Sequence, residues 1–196
     1  YPALDKRHKF RSLFETAQHR LANLGRVDPE TRICFGPKKG RVIRKLGDGS
    51  FGTVWEVEVE DDSTAKYAYK IYHPNELSIR NKVSRFERGF QAMQQLDHPR
   101  IIKVSHYTNC PVGFFMDYID GANLRQLSPG TNQNDTDSSV IITFLIDIAD
   151  TIRHAHGKGV IHRDIKPENI IVKFSDLQQR WEPFLTDFDL SWFSTA

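Results

Sequence analysis

The apolar residues of this chain change their spacing several times, and each change predicts a different element. Between Arg41 and Ile71 the period is two. Val57 and Val59 alternate with Glu56, Glu58 and Glu60, the period-two pattern of a strand. Val42 to Leu46 before it and Lys66 to Tyr72 after it read as neighbouring strands, with Asp61-Asp62-Ser63 as a turn. From Glu76 to Leu96 the steps lengthen: Val83, Phe86, Phe90 and Met93 recur at three, four and three residues. That predicts a helix, ended at Asp97-His98-Pro99 because proline disfavours helical backbone at the residue before it. Ile101 to Val104 and Gly113 to Tyr118 return to strand spacing. Ser128 to Ser139 is polar and reads as a loop. From about Asp137, the series Val140, Phe144, Ile148, Ile152 and Ala155 predicts a buried helix. Ile170 to Val172 is a short strand, and Ser175 to Pro183 a long turn. At the start of the chain, Phe10, Leu13, Phe14, Ala17, Leu21 and Leu24 predict a helix stopping at Gly25. Asp5 and Glu15 dilute its basic residues, so packing on the following lobe is favoured over a membrane surface.

At 196 residues the chain can hold one ordinary domain, or two small lobes sharing a cleft. Apolar content of 39% with 27% charged residues fits a globular protein and not a disordered one. A net charge of only +2 argues against nucleic acid as a main partner. Cys34 and Cys110 lack CxxC spacing and are expected to be reduced, partly buried thiols. Nothing in the sequence resembles a secretory signal, and the best apolar run, Val140 to Ile146, meets Asp147 and Asp150 at once. Membrane association is not indicated, and a cytoplasmic location is expected.

Three stretches carry chemistry. Gly47-Asp48-Gly49-Ser50-Phe51-Gly52-Thr53-Val54 spaces its glycines so that backbone N–H groups can approach phosphate oxygens. It lies between two strands, a context that disfavours a dinucleotide fold. Lys70 follows Gly52 by 18 residues, and Ala68 and Lys70 share one face of a strand. His162-Arg163-Asp164-Ile165-Lys166-Pro167-Glu168-Asn169 sets an acid, a base and an amide at fixed spacing, with Asp164 and Asn169 five residues apart. Finally, Asp187-Phe188-Asp189 follows a short apolar run.

Together and in this order, these stretches resemble the catalytic domain of a eukaryotic-type Ser/Thr protein kinase. The resemblance covers residues 41 to 196. It implies a two-lobed α+β fold, with an antiparallel N-lobe over 41–116, a hinge over 117–121 and the start of a helical C-lobe over 122–196. Residues 1–40 would form a basic, helical extension. In the family, ATP would meet Gly47, Gly49, Ser50, Phe51, Gly52, Val54, Ala68, Lys70, Met116, Asp117, Ile119, Asn123 and Ile171. Asp164 would be the base, with Lys166 and Lys70 stabilising phosphoryl charge. Asn169 and Asp187 would hold Mg2+, with Mn2+ as an alternative. The partner would be a protein bearing a Ser or Thr hydroxyl. Met93, Val104, His162 and Phe188 would form an apolar spine, and Arg163 would bind a phosphate on the activation loop.

Two positions depart from the pattern. The family's helix carries a glutamate nine residues before the histidine matched by His98, and that position is Gly89. Glu87, two residues away, would face elsewhere. Restoring an acid at 89 is therefore expected to raise activity. The second departure is Asp189, where the family has a glycine that frees the backbone. Both motivate an alternative, a pseudokinase-like ATP-binding regulator; a small-molecule phosphotransferase is a third, disfavoured by Lys166. Opening on Tyr1 and stopping nine residues after Asp187, the sequence is expected to be a fragment with exposed apolar surface.

Overall fold

A computed structural model describes residues 27–73, 80–127 and 138–193. The expected N-terminal helix and most of the expected polar loop lie outside these residues. The chain divides into two compact units, Tyr1–Val83 with His106–Phe115, and Ser84–Ser105 with Met116–Ala196.

The first unit is built on a sheet of six strands: β1 (Arg32–Phe35), β2 (Lys38–Asp48), β3 (Gly52–Val59), β4 (Asp62–Tyr72), β5 (Val104–Asn109) and β6 (Val112–Asp117). Their order is β1-β2-β3-β4-β6-β5, and β1 to β4 pair antiparallel. The sheet thus begins at Arg32, inside the stretch expected to be an extension. Phe35 is the reason: it is buried, and stacks on Phe115 with ring centroids 4.1 Å apart. Tyr69 stacks on Phe115 at 4.2 Å, and Val42, Val57 and Ile71 complete this core.

β3 does not bury its valines alone. Val57 and Val59 are buried, and so is Glu56. Arg44 Nε lies 2.8 Å from its carboxylate and Lys66 Nζ 2.7 Å, so two cations offset the desolvation of one anion. Strand alternation alone could not show that both faces are covered at this point. Both cysteines are free and exposed, not partly buried.

The second unit holds most of helix α1 (Arg80–Gln94) and all of helix α2 (Ser138–Gly157). α1 buries Phe86, Gly89, Phe90, Ala92 and Met93 on one face, while Glu87 is exposed. Its remaining strands are short: β7 (Ala122–Asn123), β8 (Val160–Ile161), β9 (Ile170–Ser175), β10 (Arg180–Leu185) and β11 (Trp192–Phe193). β9 pairs with both β10 and β7, and β8 pairs with β11. The long turn expected over Ser175 to Pro183 is instead a hairpin, with Pro183 buried opposite Val172. The stretch Ile101 to Val104 is also not a strand: Ile101 makes an isolated bridge to Leu185, and β5 starts at Val104.

α2 is only partly the buried helix its pattern predicts. Thr151 and Ala155 are buried, Phe144, Ile148 and Ile152 half-buried, and Val140, Ile141, Ile142, Leu145 and Ile146 exposed. Periodicity reports which residues are apolar, not whether a neighbour covers them. Asp147 fastens the helix to the rest of the unit, through Arg180 on β10 and Arg100, which also pairs with Glu182. Among the described residues, no helix is long and apolar enough to cross a membrane.

Candidate active site

The candidate residues fall into two sets, one in each unit. In the first unit, Gly47 to Val54 form the closed end of the β2–β3 hairpin. Asp48 pairs with Thr53 and Gly47 with Val54, leaving Ser50 and Phe51 at the tip. Gly49 N–H donates to Gly52 O at 2.8 Å, and Thr53 Oγ1 donates to Asp48 Oδ1 at 2.7 Å. His73, just beyond β4, pins the tip: its N–H donates to Phe51 O at 3.2 Å and its Nε2 lies 2.9 Å from Gly49 O. Nothing in the sequence pattern singled out His73.

The glycines do not share one purpose. A Cβ on Gly52 would lie 2.2 Å from Ile71 O, so the sheet itself demands glycine there. A Cβ on Gly47 would meet nothing within 4 Å, so the packing around it does not require glycine there. Val54 pairs with Lys70 and Glu56 with Ala68, so Val54, Ala68 and Lys70 lie on one sheet face. Lys70 is buried, at 4% exposure.

In the second unit, β8 leads into the His162–Asn169 loop, which ends in a 3-10 turn, Pro167–Asn169. Pro167 opens that turn, where its missing N–H costs nothing. Asn169 is buried and spends its amide nitrogen on Asp164, 2.8 Å from the backbone oxygen and 3.0 Å from Oδ2. Lys166 Nζ reaches the same Oδ2 at 2.7 Å. This bond to Asp164 holds the Lys166 ammonium above its ordinary pKa. Both neighbours use Oδ2, so Oδ1 is the atom with which Asp164 can take a proton. The carbonyl oxygen of Asn169 is likewise the atom with which it can take a cation.

His162 braces the loop from below. It is buried, its Nδ1 accepts the Asp164 N–H at 3.2 Å, and its Nε2–H donates to Thr186 O at 2.9 Å. That pattern is a neutral imidazole with its proton on Nε2. Burial pushes the His162 pKa down, against smaller opposing effects from the Thr186 bond and from Asp187 and Asp164. The ring lies 4.3 Å from that of the fully buried Phe188, two members of the expected spine. Thr186 N–H donates to Asn169 O at 3.1 Å, which ties the start of the Asp187-Phe188-Asp189 segment to the end of the loop.

Two backbones here are left-handed, Arg163 at φ 67° and Asp187 at φ 65°. Such residues cost about 1–3 kcal/mol and persist where surrounding structure over-determines them. Asp189 is not among the residues with positive φ, so replacing glycine there carries no left-handed penalty. A Cβ on Gly89 would lie 2.7 Å from Asp189 Oδ1 and 2.9 Å from Asp189 Cα, so there is no room for the acid expected to raise activity at 89. The Arg163 guanidinium sits over the Trp192 ring at 4.7 Å, and Trp192 is held beside it by pairing with Ile161.

Of the expected adenine contacts in this unit, Met116 is buried at the end of β6 and Asn123 pairs with Ile171 across β7 and β9. Asp117 N–H donates to Lys103 O at 2.9 Å. Ile119 is half-buried in the connection that follows. Gly121 is needed for close approach, since a Cβ there would lie 2.3 Å from Val172 O.

A curled sheet carrying a glycine hairpin and a lysine strand, with a catalytic-type loop in a second unit, has the parts of a kinase fold. The chain belongs to the protein kinase domain family, whose model matches residues 41–195. It is 30% identical over 156 residues to the serine/threonine-protein kinase WAG2 of Arabidopsis thaliana, covering 76% of this chain and 30% of that protein. It is 32% identical over 154 residues to the serine/threonine-protein kinase PkaB of Streptomyces coelicolor, covering 74% of this chain and 35% of that protein. The chain thus spans about a third of the length of these curated relatives. A solved structure of the Mycobacterium tuberculosis PknI kinase domain, an engineered double mutant, shares the fold. Its TM-score is 0.65 at 22% identity, over 84% of this chain and 62% of that one.

Proposed function

We propose that the chain is the nucleotide-binding and catalytic portion of a Ser/Thr protein kinase. The carrying observation is the arrangement around Asp164: one carboxylate oxygen is held by Asn169 and Lys166, and the other is left to accept a proton. In this reading Asp164 Oδ1 takes the proton of a Ser or Thr hydroxyl while the hydroxyl oxygen of the substrate bonds to the γ-phosphorus of ATP. The bond from that phosphorus to the β-γ bridging oxygen breaks, and ADP leaves. Lys166 meets the charge of the transferring group, and Lys70 that of the α- and β-phosphates.

Asn169 and Asp187 offer a hard amide oxygen and a carboxylate, which fits Mg2+ better than a softer metal. Mg2+ typically takes one or two protein oxygens and completes its shell with phosphates and water. Bound there, it would neutralise phosphate charge. The hairpin amides, with Val54, Ala68, Met116, Ile119 and Ile171, would hold and orient the nucleotide.

The experiment is transfer of labelled γ-phosphate to a generic Ser/Thr protein substrate, with and without Mg2+. Transfer abolished by Asp164→Asn supports the reading. Nucleotide binding without transfer favours the regulator reading that Gly89 and Asp189 motivate. Transfer only to small alcohols or amino sugars would point to a small-molecule phosphotransferase.

A further inference from the structure

One side chain outside the motifs acts on the glycine hairpin. His73 is the first residue after β4, and it bonds to two different peptide groups of the hairpin tip. Its backbone N–H, donating to Phe51 O at 3.2 Å, carries the β3–β4 ladder one step past the Gly52–Tyr72 pair. Its ring reaches further, with Nε2 2.9 Å from Gly49 O. A carbonyl oxygen can only accept, so Nε2 carries the proton and the neutral ring is the Nε2–H tautomer.

These bonds fix more than two carbonyls. The peptide bonds after Gly49 and Phe51 are trans, and in a trans peptide the C=O and the following N–H point in opposite directions. With both oxygens turned toward His73, the N–H groups of Ser50 and Gly52 are turned away from it. The closing bond of the tip uses a different amide, Gly49 N–H to Gly52 O at 2.8 Å. Backbone N–H groups turned to one side of a turn make an anion-binding concavity. Gly49 is the residue at which an outside anchor matters most, because without a Cβ its backbone has the widest choice of φ and ψ. Gly49 and Ser50 are exposed and lie beyond the last β2–β3 pair, Asp48 with Thr53.

We propose that His73 is a positioning residue for the nucleotide phosphates: by holding Gly49 O, its ring sets the direction in which the tip presents the Ser50 and Gly52 N–H groups. The ligand class, a nucleoside triphosphate, rests on the kinase reading, and the geometry rests on the two bonds. His73, the hairpin and β4 all belong to the first compact unit. The ring acts through Gly49 and touches no reacting atom.

The test uses the 196-residue chain with two variants. His73→Leu removes the ring donor, and His73→Gln puts an amide N–H at a similar reach. MgATP affinity should fall about three- to tenfold in His73→Leu, the effect of one hydrogen bond, and stay near the unaltered value in His73→Gln. Adenosine, which has no phosphate, should bind all three chains alike. Equal losses for MgATP and adenosine would mean a general disturbance of the fold and would overturn the proposal. So would two variants that behave alike. A second readout needs no nucleotide. Nitrogen NMR shifts of the neutral His73 ring should show the proton on Nε2, and backbone order parameters at Gly49 to Phe51 should drop in His73→Leu and not in His73→Gln. A proton on Nδ1 overturns the proposal whether or not the variants fold, and so does a tip that stays as rigid in folded His73→Leu. If the unaltered chain binds no MgATP, the kinase reading falls and the phosphate role with it, while the tip measurements still decide whether His73 holds Gly49.

Discussion

In the β2–β3 hairpin the groups that hold the shape are mostly backbone: Gly49 bonds to Gly52, Phe51 to His73, and Gly52 lies flat against Ile71. In the loop from His162 to Asn169 they are mostly side chains: Asn169 and Lys166 grip one oxygen of Asp164, and His162 links the loop to Thr186. The hairpin can therefore change most of its side chains without losing its form, and is sensitive only where another backbone lies close. The loop has little such freedom, because its form and its chemistry use the same atoms. In the proposed function the hairpin would present backbone dipoles to the nucleotide and the loop a proton acceptor to the substrate hydroxyl.

The sharpest way to break the comparison is Asp164→Asn. Transfer of labelled phosphate should fall about 10²–10⁴-fold while MgATP affinity changes little. An equal loss of both would mean that the loop serves binding as much as chemistry. Gly52→Ala comes next. Its Cβ meets a backbone oxygen that cannot step aside, so unfolding should show a loss of about 1–3 kcal/mol. Gly47→Ala, with open space around it, should leave stability within about 0.5 kcal/mol and weaken MgATP binding instead. If the two glycines behave alike, the division of roles within the hairpin is wrong.

A third effect is pH-dependent. The folded His162 has a lowered pKa, so below its ordinary value near 6.5 the unfolded chain binds a proton that the folded chain refuses. His162 therefore contributes stability above about pH 6.5 that is lost as pH falls from there toward the depressed folded value. Titrating unfolding between pH 5 and pH 8 should show this acid limb, and His162→Gln should flatten it. The smallest effect is expected at Arg163→Ala, which removes an exposed cation over Trp192 worth about 0.5–1 kcal/mol.

Why the sequence displayed some of this and hid the rest follows from the same contrast. That Asp164, Lys166 and Asn169 come together was legible because they lie within a few residues of one another; that Lys166 and Asn169 share one oxygen of Asp164 was not. Ala68 and Lys70 were legible because a strand shares its faces at a step of two. His73 was not, because its bonds go to backbone atoms that leave no trace in residue type. The burial of Glu56 needs Arg44 and Lys66 from two other strands, and alternation along β3 carries no record of them. β10 was hidden by Pro183, which sits within a strand and reads locally as a turn. The apolar spacing of α2 was plain, and its exposure was not, since coverage depends on residues elsewhere. Gly89 and Asp189 each looked like an isolated defect, because they are a hundred positions apart.

The close approach of Gly89 and Asp189 also limits what position 89 can become. A Cβ there would lie 2.9 Å from Asp189 Cα and 3.1 Å from Asp189 N, atoms that any residue at 189 keeps. Changing residue 189 alone therefore makes no room for a side chain at 89; the backbones of α1 and of the segment after Phe188 must first move apart.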